Sequence, residues 1–219
     1  MFCDSVTVSS CVSVCRDYPM LWCNIAIAVG TIGSVIVALF GAERICRIIK
    51  PSKLNLEIRE LNTRRILFPQ EKEVRYFYLS VKNYRSSRVE KNVRVFLTGI
   101  ARKNNGSFSM FTSYTVPLQM IWCPAEKSPS VIDIQNENTI DFLRLEEENG
   151  IFILKPLLYV YPNDFNDFLK SGDCVRLRLE IVADYYKKEQ IFEIEFIQNA
   201  NHSIIEDVGK DIVIKEIKE

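Results

Sequence analysis

The stretch CVRLRLEIVADYYKKEQIFEIEFIQ, residues 174–198, alternates apolar and polar side chains in two runs separated by a polar segment. Strict alternation is the period of a half-buried β-strand. If the chain folds back at residues 184–189, any antiparallel register whose paired residue numbers add to an odd sum puts both apolar sets on one face. Those sets are Val175, Leu177, Leu179, Ile181, Phe192, Ile194 and Phe196. The stretch therefore predicts an antiparallel hairpin with one buried face.

The other face of this hairpin carries charges of both signs. Arg176 and Arg178 share it with Glu193 and Glu195. Opposite charges across an antiparallel pair stabilise it by roughly 0.2–1 kcal/mol each. We interpret these four side chains as scaffold and not as a site.

The same two-residue period recurs in short runs through the chain after Pro51. Further strands are predicted at 54–60, 75–83, 92–100, 118–122, 131–135, 139–146, 151–155 and 211–217. Residues 148–150, Glu-Asn-Gly, are a turn signal between two of them. Short strands with frequent turns and no long amphipathic helix predict a mainly β, Ig-like β-sandwich of about seven to nine strands.

A transmembrane helix is predicted ahead of this sandwich. The stretch LWCNIAIAVGTIGSVIVALFGA, residues 21–42, contains no charged residue, and roughly 20 apolar helical residues span a hydrocarbon core of about 30 Å. A secretory signal needs a basic N-terminal region and a shorter apolar core, whereas Arg16 is the only basic residue before this stretch. A buried soluble helix would carry a polar stripe.

Basic residues beside the apolar stretch set the expected orientation. Only Arg16 and the amino terminus precede the stretch, while a basic cluster follows it. Because basic residues favour the cytoplasmic side, the amino terminus is expected outside and the β domain inside. The membrane-interface basic residues are Arg44, Arg47, Lys50 and Lys53.

The expected protein is thus single-pass in the cell (inner) membrane and has three parts. Residues 1–20 are a short extracytoplasmic tail, and residues 21–50 are the helix with a basic juxtamembrane extension. Pro51 is expected to end that helix. Residues 51–219 form the cytosolic β-sandwich. Whether Cys3, Cys11 and Cys15 crosslink two chains or lie in a disordered tail stays open.

Small residues recur at every fourth position of the predicted membrane helix. They are Ala26, Gly30, Ser34, Ala38 and Ala42. Small residues let two membrane helices approach closely, and close packing drives their association in lipid. Such residues are also common in membrane helices generally, but the regular spacing favours a homo-oligomer.

One motif resembles a known family. Val81-Lys82-Asn83 ends a predicted strand, and Asn92-Val93-Arg94-Val95 opens the next one after a short polar loop. This arrangement resembles the strand–loop–strand of Ig-like modules of the CARDB type, although Tyr84 and Lys91 replace the usual Gly and Ala. With the preceding helix, the chain is similar to uncharacterised bacterial single-pass membrane proteins. The resemblance implies the fold and no activity, because such sandwiches host many functions.

Residues that could carry chemistry are sparse. His202 is the only histidine, and Cys123 and Cys174 are the only cysteines after residue 46. No Walker or dinucleotide glycine pattern occurs among the eight glycines. We therefore expect no enzyme, no metal site and no cofactor.

Local charge is uneven although the net charge is zero. Residues 82–103 hold seven basic and one acidic residue, and residues 133–148 hold six acidic and one basic residue. The basic residues are expected at two poles of a hairpin. The first interpretation is a solvated surface that complements the acidic segment. The alternative is that one pole contacts anionic lipid or a phosphate-bearing ligand. The candidate contact residues are Lys82, Arg85, Arg88, Lys91, Arg102 and Lys103.

Three functional hypotheses follow from this sequence. The first is a non-enzymatic, membrane-anchored β-sandwich that presents an interaction surface to a cytosolic protein partner and oligomerises through its helix. The second is a membrane effector whose cytosolic domain senses a small anionic ligand such as a nucleotide. The third reverses the topology and makes the domain an extracytoplasmic adhesion or envelope module. The zero net charge gives no reason to expect a nucleic-acid partner.

Overall fold

The structure is a computed structural model that divides the chain into two units, Met1–Pro51 and Ser52–Glu219. It describes residues 7–41, 45, 53–59, 63–67, 72–85, 88–163, 165–197, 199 and 204–218. The first unit contains one long helix and the second contains the β domain.

Helix α1 spans Thr7–Phe40 and so begins 14 residues before the apolar stretch. It ends before Gly41, whose φ of +74° is a left-handed conformation that glycine adopts without a steric penalty. The helix expected over 21–50 is therefore longer on its N-terminal side and interrupted at Gly41. Of the expected extension over 43–50, only Ile45 belongs to the described residues.

The window Met20–Leu39 of α1 is long and apolar enough to cross a membrane, with a mean hydropathy of 2.0 and no side chain buried. A signal sequence near the N-terminus meets the same criteria. The hydroxyls of Thr31 and Ser34 donate to the carbonyls of Ile27 and Gly30, each at 2.8 Å. These bonds satisfy both hydroxyls within the helix, as an apolar surrounding requires.

The first sheet runs in the order β1-β3-β9-β10-β11, with β2 paired to β3 and β7 paired to β9. Its strands are β1 (Leu54–Ile58), β2 (Thr63–Leu67), β3 (Lys72–Asn83), β7 (Ile121–Trp122), β9 (Glu137–Glu148), β10 (Ile151–Pro156) and β11 (Leu169–Lys170). The predicted turn between β9 and β10 is confirmed. Asn149 and Gly150 have φ of 53° and 78°, the positive pair that a two-residue hairpin loop needs.

The second sheet runs in the order β14-β13-β12-β4-β5, with β6 and β8 paired to β4. Its strands are β4 (Glu90–Asn104), β5 (Ser107–Phe108), β6 (Thr112–Gln119), β8 (Ile132–Ile134), β12 (Cys174–Ala183), β13 (Tyr186–Phe196) and β14 (Ile212–Ile217). A short helix α2, Ile205–Val208, precedes β14. The two sheets hold more strands than expected, because β2, β5 and β11 lie outside the predicted runs and the predicted run 118–122 is divided between β6 and β7.

The hairpin predicted from residues 174–198 is confirmed. Val175 lies opposite Ile194 and Leu177 lies opposite Phe192, an odd-sum register. The loop is tighter than expected, because Ala183 already pairs with Tyr186. The apolar face of β12 and β13 is buried, as the alternation required.

One hydrophobic core lies between the two sheets. It joins side chains of both, and the rings of Phe142 in β9 and Phe192 in β13 approach to 5.9 Å between centroids. The chain passes from one sheet to the other between β3 and β4, β6 and β7, β7 and β8, β8 and β9, and β11 and β12. These observations confirm a mostly β, sandwich-like domain behind one apolar helix.

The edge strand β1 is fastened to β13 by side chains. The N–H of Leu56 donates to Oε1 of Gln190 at 2.7 Å, and Nε2 of Gln190 donates to the carbonyl of Leu56 at 3.2 Å. The hydroxyl of Tyr186 donates to the carbonyl of Leu54 at 2.8 Å. Leu54 and Leu56 are fully buried. Without Gln190 the N–H of Leu56 would lack an acceptor, and its carbonyl would keep only the 3.4 Å bond from Nδ2 of Asn55. We call this contact the β1–β13 seam.

Replacing Gln190 tests the seam. Gln190→Ala is expected to destabilise the protein by roughly 1–3 kcal/mol, because it leaves the buried N–H of Leu56 without an acceptor. The measurement is urea denaturation of the full chain in detergent, followed by the β-sheet circular dichroism signal. The neighbouring exposed residue provides the matched control, Glu189→Ala, which is expected to change little. Equal stability of both variants would contradict a structural role for the seam.

Candidate functional site

A cleft of about 750 Å³ opens beside the β1–β13 seam. Strand β14 ends at Ile217, opposite Ile191, so residues Tyr186–Gln190 of β13 extend beyond it. The cleft lies where β14 stops. Its lining residues are Asn55, Glu57, Tyr84, Arg178, Lys188, Glu189, Gln190, Ile191, Glu216, Ile217 and Lys218.

Two of the three carboxylates in this cleft are engaged by neighbouring side chains. Glu57 forms an ion pair with Lys82 and accepts a hydrogen bond from the hydroxyl of Tyr84. Glu216 accepts a hydrogen bond from Nε2 of Gln190 at 2.9 Å. The third carboxylate, Glu189, is exposed.

These contacts shift the protonation equilibria at one wall of the cleft. The hydrogen bonds from Lys82 and Tyr84 lower the pKa of Glu57 below its usual value of 4.5. The same contacts raise the pKa of Lys82 and of Tyr84. Glu57 is therefore held as a carboxylate at neutral pH, and Lys82 is held as its cation.

The three cations of the cleft have different partners. The guanidinium of Arg178 lies over the ring of Phe111, 4.1 Å from its centroid. The ammonium of Lys188 donates to the neutral Oδ1 of Asn55. Among the described residues, neither of these cations nor Lys218 forms an ion pair with a carboxylate.

The six basic residues predicted as an anion contact do not converge. Lys82 pairs with Glu57, and Arg102 pairs with Asp167 at 3.3 Å and Asp173 at 3.6 Å. Lys103 lies 5.9 Å from the ring centroid of Phe108. The charges of Lys82 and Arg102 are therefore balanced by carboxylates of the same domain.

Strand β4 separates the same six residues into two groups, as expected. Lys91 and Lys103 lie near its two ends, about 40 Å apart at roughly 3.3 Å per residue. Arg85 and Arg88 lie on the loop before β4, where the N–H of Arg88 donates to the carbonyl of Arg85 at 2.9 Å. No residue of this predicted set lines the cleft.

The predicted helix-packing residues Ala26, Gly30, Ser34 and Ala38 are all exposed on α1. A Cβ added at Gly30 would meet nothing within 4 Å, so the face around this glycine is open. Ala42, Arg44, Arg47 and Lys50 lie outside the described residues, whereas Lys53 lies 5.5 Å from the ring centroid of Tyr84.

Other candidates for chemistry give no site in the part of the chain that the structure describes. Cys123 and Cys174 are half-buried, and burial raises the pKa of the Cys174 thiol. The described residues contain no group of three or more His, Cys, Asp or Glu side chains placed to hold a metal ion. His202 lies outside the described residues.

Sequence reasoning missed the cleft, but one signal pointed to it. In β13 the residues Phe192, Ile194 and Phe196 are apolar and face the core, and Tyr186, Lys188 and Gln190 continue the same alternating positions. Polar side chains at inward positions need partners inside the fold. This switch from apolar to polar residues marks the place where β13 leaves the core and meets β1.

No family model, no curated protein and no solved structure matches the chain. The resemblance to CARDB-type modules therefore stays a prediction. The structure alone supports the assignment of a sandwich-like fold.

The lowered pKa of Glu57 predicts a pH-dependent contribution to stability. Because the pKa is lower in the folded than in the unfolded protein, the stabilisation is complete above the unfolded value and is lost as the pH falls through the folded value. Glu57→Gln is therefore expected to destabilise the protein more at pH 7 than at pH 3. Urea denaturation at both pH values measures this difference.

Lys82→Met is the companion variant, since it removes the first cause of the shift. It should reproduce the pH dependence of Glu57→Gln, and the double variant should add little to either. A Glu57→Gln effect of equal size at both pH values would contradict the assignment.

Proposed function

We propose that this protein is a single-pass membrane protein whose β domain is a non-enzymatic binding module on the cytoplasmic side. The observation that supports it best is the exposed apolar window Met20–Leu39, followed by a β domain with its own core. An exposed apolar face of this length is costly in water and stable in a bilayer.

The cleft beside the seam is the binding site in this proposal. It combines an aromatic ring, two isoleucines and six charged side chains in one concave surface. Concave sites with a few polar groups are where proteins usually bind small ligands or peptide side chains.

Topology mapping tests the membrane part of the proposal. Met110 is 92% exposed on the β domain, so Met110→Cys, in a chain whose native cysteines are replaced by serine, gives an accessible thiol. A membrane-impermeant maleimide is expected to label it only after the cells are opened. The matched chain that retains Cys3 alone should be labelled in intact cells.

Two results would overturn this arrangement. Labelling of the Met110→Cys thiol in intact cells would place the β domain outside and favour the extracytoplasmic envelope module. A mature product that begins after Ala42 and stays in the aqueous fraction would identify α1 as a cleaved signal.

We further propose that the exposed small-residue face of α1 mediates self-association. Gly30→Leu is expected to reduce chemical crosslinking between chains in membranes, because the larger side chain prevents close helix approach. Ala28→Leu is the matched control, since at 100° per residue it lies about 160° away around the helix. Equal loss in both variants, or no loss in Gly30→Leu, would contradict packing through this face.

A further inference from the structure

We propose that the end of the β domain at which the chain enters it binds the anionic lipid headgroups of the membrane that α1 spans. We call this end the entry pole. Its described basic residues are Lys53, Arg85, Arg88 and Lys91. The inference deepens the proposed function and rests on its membrane anchor, because it names a second surface that the β domain contacts.

Hydrogen bonds join the segments that form the entry pole. The N–H of Tyr84, which follows β3, donates to the carbonyl of Lys53, which precedes β1, at 3.0 Å. The amide side chain of Asn83, at the end of β3, donates to the carbonyl of Arg88 at 2.7 Å. The basic residues of the β3–β4 loop and of the chain entry therefore lie on the same end of the domain.

The carboxylates at the entry pole balance only part of this positive charge. The N–H of Asp184 donates to the carbonyl of Lys91 at 3.3 Å, which brings the turn between β12 and β13 to the pole. Asp184 and Asp133 accept hydrogen bonds from the neutral Asn92, at 2.7 and 3.0 Å, and so keep their charge. Glu90 is fully buried. Four basic residues thus face two exposed carboxylates, and the exposed charge of the pole is positive.

The cations at the opposite end of the domain have carboxylate partners. Strands β4 and β9 both begin at the entry pole, so both end at the opposite one. There Arg102 of β4 pairs with Asp167 at 3.3 Å, and Lys155 pairs with Glu148, the last residue of β9. At the entry pole, by contrast, Lys53 and Lys91 form no ion pair with a carboxylate among the described residues. The two poles therefore differ in the charge they offer to an anionic surface.

The chemistry of the entry pole suits a layer of headgroups. Cations attached to one end of a domain can each meet a different lipid, so they need not converge on one ligand. Each basic residue near an anionic leaflet strengthens attachment about fivefold. Tyr84 and Tyr185 are exposed at this pole, and tyrosine is enriched at the level of the headgroups.

The covalent chain keeps this pole within reach of the proposed membrane. Residues 42–52 connect the helix α1 and Gly41 to Lys53, and a chain of that length spans at most about 40 Å. A short tether raises the effective concentration of the headgroups that the pole meets. The attachment therefore requires only a modest affinity from the pole itself.

The experiment uses the full chain, one copy per nanodisc, with its native cysteines replaced by serine and a fluorophore on one introduced cysteine. Val89→Cys places the fluorophore at the entry pole, where Val89 is 39% exposed. Met110→Cys places it at the opposite pole, where Met110 is 92% exposed and follows Ser109, whose N–H donates to the carbonyl of Arg102 at 2.9 Å. Each disc contains a lipid with a spin-labelled headgroup, which quenches a fluorophore only at close range.

We expect strong quenching at Val89→Cys in discs that contain phosphatidylglycerol and little in discs of neutral phosphatidylcholine alone. Met110→Cys is expected to show little quenching in either disc. Raising the NaCl concentration to about 0.5 M should reduce the quenching at Val89→Cys, because salt screens attraction between exposed charges.

Two lysines of β4 provide matched variants. Lys91 and Lys103 are both exposed and lie near opposite ends of the strand. Lys91→Gln is expected to weaken the headgroup contact about fivefold, measured as reduced quenching at Val89→Cys, because it removes one cation from the anionic surface. Lys103→Gln is expected to leave this quenching unchanged. Thermal unfolding of each variant confirms that the fold is retained.

Each outcome decides the inference. Equal quenching at Val89→Cys in both kinds of disc, equal quenching at the two fluorophore positions, or equal effects of Lys91→Gln and Lys103→Gln would overturn it. Insertion of α1 is measured separately, by co-purification of the chain with the nanodisc, and topology by maleimide labelling. A failure of headgroup binding therefore leaves the membrane anchor of the proposed function standing.

Discussion

The carboxamide of Gln190 takes the place of a missing strand at the outer edge of β1, and the closure of the sandwich depends on it. Leu54 and Leu56 are fully buried, so their outward backbone groups cannot reach water. A strand would satisfy such groups by pairing, but β1 has a strand partner on one side only, β3. Gln190 supplies one acceptor and one donor to Leu56, and Tyr186 supplies a donor to Leu54. Side chains of one sheet thus complete the edge of the other.

The contact between β13 and β1 also explains why a cleft forms beside the seam. The residues that reach β1 must stand at inward positions of β13 and must be polar, so the run of buried apolar side chains on β13 ends at Phe192, although the Tyr186 ring still packs against the core. Strand β14 ends opposite Ile191, and the segment of β13 that holds β1 therefore lacks a partner on that side. A polar concavity is the result. The same side chain, Gln190, fastens the seam and binds Glu216 at the cleft wall, so stability and site geometry are linked through one residue.

The sequence predicted the local features of this fold well and the long-range ones poorly. The register of β12 and β13 follows from alternation alone, and the Asn149-Gly150 turn follows from the freedom of these residues at positive φ. Strand β2 has only five residues, and β6 departs from β4 between the pairs at Leu97 and Gly99. A two-residue alternation in the sequence does not mark such strands, because the strand they pair with decides where they form. The seam joins Leu56 to Gln190, 134 positions apart, and no local pattern reports that contact.

The candidate site differs from the one predicted because a count of charges along the chain does not tell which charges are free. Lys82 and Arg102 stand in the most basic segment, yet carboxylates from distant strands and loops engage both. The alternation of charges in the sequence predicts one shared structural role for Arg176 and Arg178, but their cross-strand neighbours differ. Arg176 lies opposite Glu193 and pairs with it, whereas Arg178 lies opposite Ile191 and stacks on Phe111. Two arginines on one face of one strand thus have different partners, because only Arg176 forms an ion pair with a carboxylate among the described residues.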